Sequence, residues 1–208
     1  MFFLREPLTA DIRDFIQVQV PRPFSYPEVG ATRTGERPHG YAIDRRRILV
    51  GHGQDTFLRA RKCLQDWRQF GLGWVQLCWP YKRLQPGVVV AVLISHYGFW
   101  SLNAARIAYV IDETEPARRY GFAYGTLDDH AERGEERFLV EWRRDDTVWF
   151  EISAFSRPKH WLAWAFYPLS RALQQRFLRQ SVRAMHKAVT QSAAQPLGAA
   201  TPTASANA

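Results

Sequence analysis

Six acid or imidazole groups fall within nine residues of one stretch: Asp128, Asp129, His130, Glu132, Glu135 and Glu136. Carboxylates beside an imidazole are the groups that general acid–base catalysis uses, and they are also metal-ligand types. The spacing argues against a metal, because no HxxxH or HxxE pair stands on a helical pattern. Neither a metal nor any other cofactor is expected. His130 and Glu135 remain acid–base candidates. A structural role is the alternative: Glu135 or Glu136 pairs with an arginine or accepts hydrogen bonds from loop amides. Upstream, Tyr26 and Glu28 set a phenol and a carboxylate two residues apart. They could orient a ligand or move a proton; otherwise Tyr26 packs and Glu28 pairs with Arg33. Just before the acidic stretch, Tyr120, Phe122 and Tyr124 share one face at period two, with Gly121, Ala123 and Gly125 on the other. Such a face either lines a pocket or fills a core. His52 and His96 are isolated. No GxSxG, P-loop or GxGxxG motif occurs, so a standard hydrolase, NTPase or dinucleotide enzyme has no support.

The elements that must position these groups can be read from periodicity. Residues 8–20 form a short amphipathic helix, with Thr9 as its cap and Ile12, Phe15 and Ile16 on one face. Residues 23–33 are an ordered loop whose Phe24, Tyr26 and Val29 pack inward. Residues 41–50 read as a strand. Residues 54–70 read as a helix that buries Phe57, Ala60, Leu64 and Trp67 and ends at Gly71 and Gly73. Six strands follow, at 74–80, 87–97, 100–112, 119–127, 137–143 and 147–155. The second of them is almost wholly apolar, as expected of a strand covered on both faces. Asp128–Glu136 is then a polar loop. Ser156, Arg157 and Pro158 stop the sheet and begin a helix. Residues 159–167 are rich in Trp and Phe, and 168–189 continue as a long amphipathic helix.

Composition sets the outer bounds. The chain has 208 residues, 46% of them hydrophobic, which suits one domain with a sizeable core. That domain is expected to span 1–189. Residues 190–208 carry no charge and no apolar stripe, so a disordered tail is expected. The net charge is +8. Its arginines are scattered rather than massed on one patch, so no nucleic-acid partner is expected. Cys63 and Cys78 belong to no CxxC pair and read as free thiols of a reducing compartment. No secretory signal or membrane-length apolar run is present, and a cytoplasmic location is expected.

Six consecutive strands with short connections must form an antiparallel meander. The early strand adds to an edge, giving about seven. A twisted sheet of that width curls, and its concave face suits the one-striped last helix. The expected fold is therefore α+β: a helix-grip, in which a curled antiparallel sheet of about seven strands wraps on a long C-terminal helix. Four segments sharpen this. FSYPEVGATR at 24–33, AYVIDE at 108–113, GFAYGTLDDHAERGEERF at 121–138 and VWFEISAFSRP at 148–158 resemble the DUF1990 family, also called UPF0548. The family's usual glycine-His-Pro stands here as Asp129-His130-Ala131, which alters the turn chemistry. The resemblance implies a helix-grip domain of the START and Bet v 1-like kind and no defined activity. Fold alone does not give function.

Three functions are therefore weighed. The first is binding of a small apolar molecule or lipid in a sheet–helix cavity. Its walls would be Tyr120, Phe122, Tyr124, Phe138 and Trp164, and its polar anchors Tyr26 and Glu28. The second is an enzyme on the same fold using Tyr26, Glu28, His130 or Glu135. The third is an interaction module using Arg176, Arg179, Arg183 and Lys187, which fall close to one face of the last helix. Such a face can touch an anionic membrane weakly, or simply be solvated. No obligate protein partner is expected.

Overall fold

The computed structural model describes residues 1–78, 83–96, 98–115, 117–130, 132–159 and 167–193. Its centre is one antiparallel sheet. The strands are β1 (Phe2–Phe3), β2 (Ala42–His52), β3 (Val75–Cys78), β4 (Val89–His96), β5 (Phe99–Glu113), β6 (Arg118–Thr126), β7 (Glu132–Trp142) and β8 (Thr147–Pro158). The order across the sheet is β2-β8-β7-β6-β5-β4-β3, and β1 pairs with the start of β5. Among the described residues the α-helices are α1 (Thr9–Gln19), α2 (Ala31–Thr34), α3 (Gly53–Gln65) and α4 (Tyr167–Ala193). A 27-residue helix is about 40 Å long. It crosses the inner face of the sheet, and the sheet does not close into a barrel. The fold is the helix-grip arrangement.

Both sheet faces are covered. On the inner face, Phe122, Phe138, Phe150 and Ile152 of the sheet pack against Leu178, Val182, Met185 and Val189 of α4. α3 adds Phe57, Ala60 and Leu64 to the same core. On the outer face, Ile12, Phe15 and Ile16 of α1 cover Val89, Ala91, Leu93 and Leu102. This is why β4 is apolar on both sides. The rest of the outer face takes the segment around α2, through Tyr26, Ala31, Tyr41 and Phe155.

Several boundaries differ from the sequence reading, each for a tertiary reason. The polar stretch is not all loop. β7 begins at Glu132 and β8 runs on to Pro158, because Glu132 pairs with Pro158, Gly134 with Ser156 and Glu136 with Ala154. No helix starts at Ser156. Gly134 permits this pairing: a Cβ there would meet the Phe155 carbonyl oxygen at 1.9 Å, and its φ is +155°. α3 ends at Gln65 rather than running to Phe70. Trp67 takes a left-handed conformation, φ 55°, and a 3-10 turn covers Arg68–Phe70. At α1 the cap is Leu8, whose backbone N–H donates to Asp11 Oδ2 at 2.9 Å, not Thr9. In the 23–33 segment Tyr26 is buried and Phe24 half-buried, but Val29 is 45% exposed. α4 extends to Ala193, past the expected boundary at 189. The Trp-rich run at 160–166, including Trp164, and the tail at 194–208 lie outside the described residues.

Candidate functional site

Period two decides where the candidate groups go. Glu135 and Glu136 are neighbours in β7, so they point to opposite faces. Glu135 faces outward and is 2% exposed. It accepts hydrogen bonds from the Tyr26 hydroxyl at 2.9 Å, the Gly30 amide at 2.7 Å, the Thr32 amide at 3.0 Å and the Thr32 hydroxyl. Four donors fill a carboxylate's acceptor sites. Thr32 also shares a hydrogen bond with the Tyr109 hydroxyl at 2.6 Å, and Arg137 donates to its carbonyl at 2.8 Å. Arg137 continues to Glu151, which is also held by Arg45. Burial, with Glu135 beside it, raises the Tyr26 phenol far above its usual value. Gly125 seats that phenol: a Cβ there would stand 1.9 Å from the Tyr26 hydroxyl oxygen. Tyr26 and Glu135 thus converge, but as a saturated anchor that ties residues 26–32 to the sheet.

Glu28 joins a different partner. It accepts from the Tyr41 hydroxyl at 2.8 Å, while Arg33 lies 3.9 Å from Glu113. His130 accepts the Glu132 amide on Nδ1 at 3.1 Å. Burial, with the N-terminal ammonium and Lys159 adding to it, brings its pKa down to about 4. The ring is neutral near pH 7. Lys159 also binds the Asp128 carbonyl, and Gln19 binds Asp129, so the turn is tied down at several points.

Glu136 faces inward. It accepts from the Tyr124 hydroxyl at 2.6 Å. Among the described residues it has no ion pair. Burial pushes its carboxyl up to about 7, with Asp44 and Glu132 adding to the rise and the Tyr124 hydrogen bond opposing it. Asp44 is matched by a two-pronged contact from Arg171, at 2.5 and 2.7 Å, and by Gln175. Glu132 is held by Ser170 and Gln174. The first turns of α4 therefore rest on a polar row rather than an apolar one. Among the described residues no group of three or more His, Cys, Asp or Glu is arranged to hold a metal ion.

Of the aromatic candidates, Phe122 and Phe138 are 0% exposed and pack together at 5.3 Å between ring centres. Tyr120 lies beneath the Arg61 guanidinium, 4.5 Å from its ring centre, and accepts from Gln65. Phe70 of the 3-10 turn fills the space between Tyr124, Phe138 and Phe177. These side chains fill one another's space along the middle of α4.

Space opens further along the helix. A groove of about 500 Å³ runs between the 67–77 segment and the last turns of α4. Its floor is Trp67, Phe70, Val75 and Leu77, and its helix wall is Ala184 and Ala188. An adjoining recess of about 240 Å³ shares Leu72, Ala184 and Lys187 and adds Arg183. The groove exists because small residues face it from both sides. Ala184 and Ala188 are one turn apart, so they present methyl groups on one helix face opposite Gly71 and Gly73. Beside it, Trp74 donates to Gln180 at 2.5 Å and carries the Arg176 guanidinium 4.6 Å from its ring centre, which pins the helix to the chain before β3. Trp67 is unusual twice over. A bulky residue at positive φ costs of order 1–2 kcal/mol, and such strain clusters where ligands bind. Its buried indole N–H also has no partner among the described residues. Sequence reasoning placed Trp67 in a helix stripe and missed this groove. The pair Gly71 and Gly73 marked a helix end but gave no sign of open space.

Comparison with known proteins gives the chain its relatives. The model of a domain of unknown function, DUF1990, matches residues 25–184. A UPF0548 protein of Dictyostelium discoideum is 33% identical over 207 residues, covering 91% of this chain and 96% of that protein. One from Deinococcus radiodurans is 34% identical over 201 residues, covering 90% and 98%. Among solved structures, TTHA0849 from Thermus thermophilus superposes with a TM-score of 0.50 at 12% identity, over 73% of this chain and 99% of that one. At that identity the likeness concerns the fold alone. The matched span holds the Glu135 anchor, the inward Glu136 and the groove as far as Ala184, and the chain belongs to the DUF1990 (UPF0548) family.

Proposed function

We propose that this chain binds a small, largely apolar molecule in the groove between the 67–77 segment and the second half of α4. The observation that carries the reading is the groove's lining: Trp67, Phe70, Val75 and Leu77 lie across it from Ala184 and Ala188, and Trp67 holds a positive φ there. A volume of about 500 Å³ lies within the range that holds small ligands, and the floor is apolar. This moves the expected sheet–helix site along α4, away from Tyr120, Phe122 and Phe138. Native mass spectrometry of the gently purified chain, set against its denatured mass, tests the reading. The expected result is a discrete excess mass, or thermal stabilisation by members of a lipid and metabolite panel. Ala184→Trp fills the groove and should remove either signal. No excess mass and no stabilisation across the panel would sink the proposal.

An enzyme reading also has one observation in its favour. Tyr124 and Glu136 form a 2.6 Å phenol–carboxyl pair, and the carboxyl sits near neutrality. A group with a pKa near the working pH is suited to proton transfer. Phe70 stands between this pair and the groove. A carbon-13 titration of Glu136 whose midpoint moves when a molecule fills the groove would support coupling; an unmoved midpoint would make the pair structural.

A further inference from the structure

The rim of the groove is charged in one sense. Arg68 and Lys187 line it, and Arg183 lines the adjoining recess. The lining holds one acid, Asp66, and its carboxylate is already taken by Lys62 at 2.6 Å across one helical turn. Arg68, Arg183 and Lys187 form no ion pair, side-chain hydrogen bond or ring contact among the described residues. Some other cations of the chain are committed, Arg61 to Asp112 and Arg171 to Asp44 among them, while Arg46, Arg144 and Arg179, outside the groove lining, are likewise without such a partner among the described residues. Arg183 and Lys187 are four residues apart, so they flank the apolar wall of Ala184 and Ala188. Arg68 stands on the opposite lip. Three unmatched cations thus surround an apolar floor.

Resting on the reading of the groove as the ligand site, we infer that its occupant is an amphipathic anion. An apolar chain or ring lies on Trp67, Phe70 and Leu77, and a carboxylate or phosphate head is received by Arg183, Lys187 and Arg68. The concave floor suits one such molecule rather than a bilayer surface. The rival account is that these cations form a solvated face. That account predicts no effect of head-group charge on binding.

The test uses the full chain and three probes of equal length: laurate, 1-dodecanol and dodecyltrimethylammonium, each below its micelle-forming concentration, followed by tryptophan fluorescence. Laurate should bind about tenfold more tightly than dodecanol, the sum of several partly exposed charge contacts. The trimethylammonium probe should bind most weakly. Exposed-site substitutions Arg183→Gln with Lys187→Gln should bring laurate down to the dodecanol affinity and leave dodecanol unchanged. Ala184→Trp should abolish binding of both. Equal affinity for laurate and dodecanol, with both lost in Ala184→Trp, would overturn the anion inference and leave the groove reading standing. Laurate binding that survives Ala184→Trp would overturn the inference, since the charge would then act outside the groove. Absence of binding by all three probes, with no change in any variant, would remove both readings.

Discussion

Glu135 and Glu136 show how one step along a strand changes the chemistry of a carboxylate. Glu135 is held by four donors from the segment it anchors. Replacing it with Gln sets an amide N–H₂ against some of those donors, which leaves buried groups unsatisfied. Glu135→Gln should cost about 2–4 kcal/mol in urea unfolding, while Tyr26→Phe, which removes a single hydrogen bond, should cost about 1 kcal/mol. A catalytic role for Glu135 would instead predict a stable variant. Glu136 behaves in the opposite way. Its folded pKa, about 7, is raised above the ordinary 4.5. The folded state therefore holds its proton more tightly than the unfolded chain does. That contribution is fully present below about pH 4.5 and is lost as the pH rises through 7. Glu136→Gln removes the dependence, so the variant should gain about 2 kcal/mol on the parent between pH 5 and pH 8, since one pKa unit is worth about 1.4 kcal/mol. Parallel stability curves for the two proteins would show that the carboxyl is not perturbed.

At the scale of elements, the polar contacts of α4 separate its two halves. Its first turns are tied to β2 and β7 through Arg171–Asp44 and through Gln174 and Ser170 on Glu132. Its later turns are held by Leu178, Val182, Met185 and Val189 in the core. Arg171→Ala leaves Asp44, which is 8% exposed, with only Gln175 to meet it among the described residues. Removing one partner of a mostly buried pair costs more than the pair contributes, here about 2 kcal/mol. The loss should show as faster hydrogen exchange in the first turns of α4 and along β2, with the later turns unchanged. Uniform acceleration along the helix would mean that α4 opens as one unit. The same local-versus-tertiary contrast explains what was legible in the sequence. Strong periodicity gave α1, β4 to β6 and α4, because burial on one or both faces wrote the pattern. β7 and β8 were read too short. Residues 132–136 and 156–158 carry charges and a proline that disfavour strands locally, and only their pairing with each other makes them one. The end of α3 was misplaced because nothing in Trp67 itself announces a left-handed backbone. Glu135 as an acceptor of loop amides is legible from its place in a polar, turn-rich stretch; the raised carboxyl of the inward Glu136 depends first on its burial and then on Asp44 and Glu132 nearby, which only the fold brings about.

For the molecule as a whole, the sheet divides labour between its faces. α1 and the segment anchored by Glu135 seal the outer face, and the groove belongs to the inner one. A lesion on the outer face should therefore weaken the fold without touching the site. Phe15, 5% exposed against β4 and β5, is the natural choice. Phe15→Ala should cost about 3–5 kcal/mol by leaving a cavity. At a temperature where the variant is still folded, its affinity for a groove probe should equal that of the parent. Phe70→Ala makes a similar cavity on the inner face, but Phe70 is also groove floor. Its probe affinity should therefore change along with its stability. The two variants together separate binding from folding, because both lower Tm and only one should alter the site. If Phe15→Ala changed probe affinity as much as Phe70→Ala, the faces would be coupled through the sheet, and the groove could not be treated as a local property of the 67–77 segment and α4.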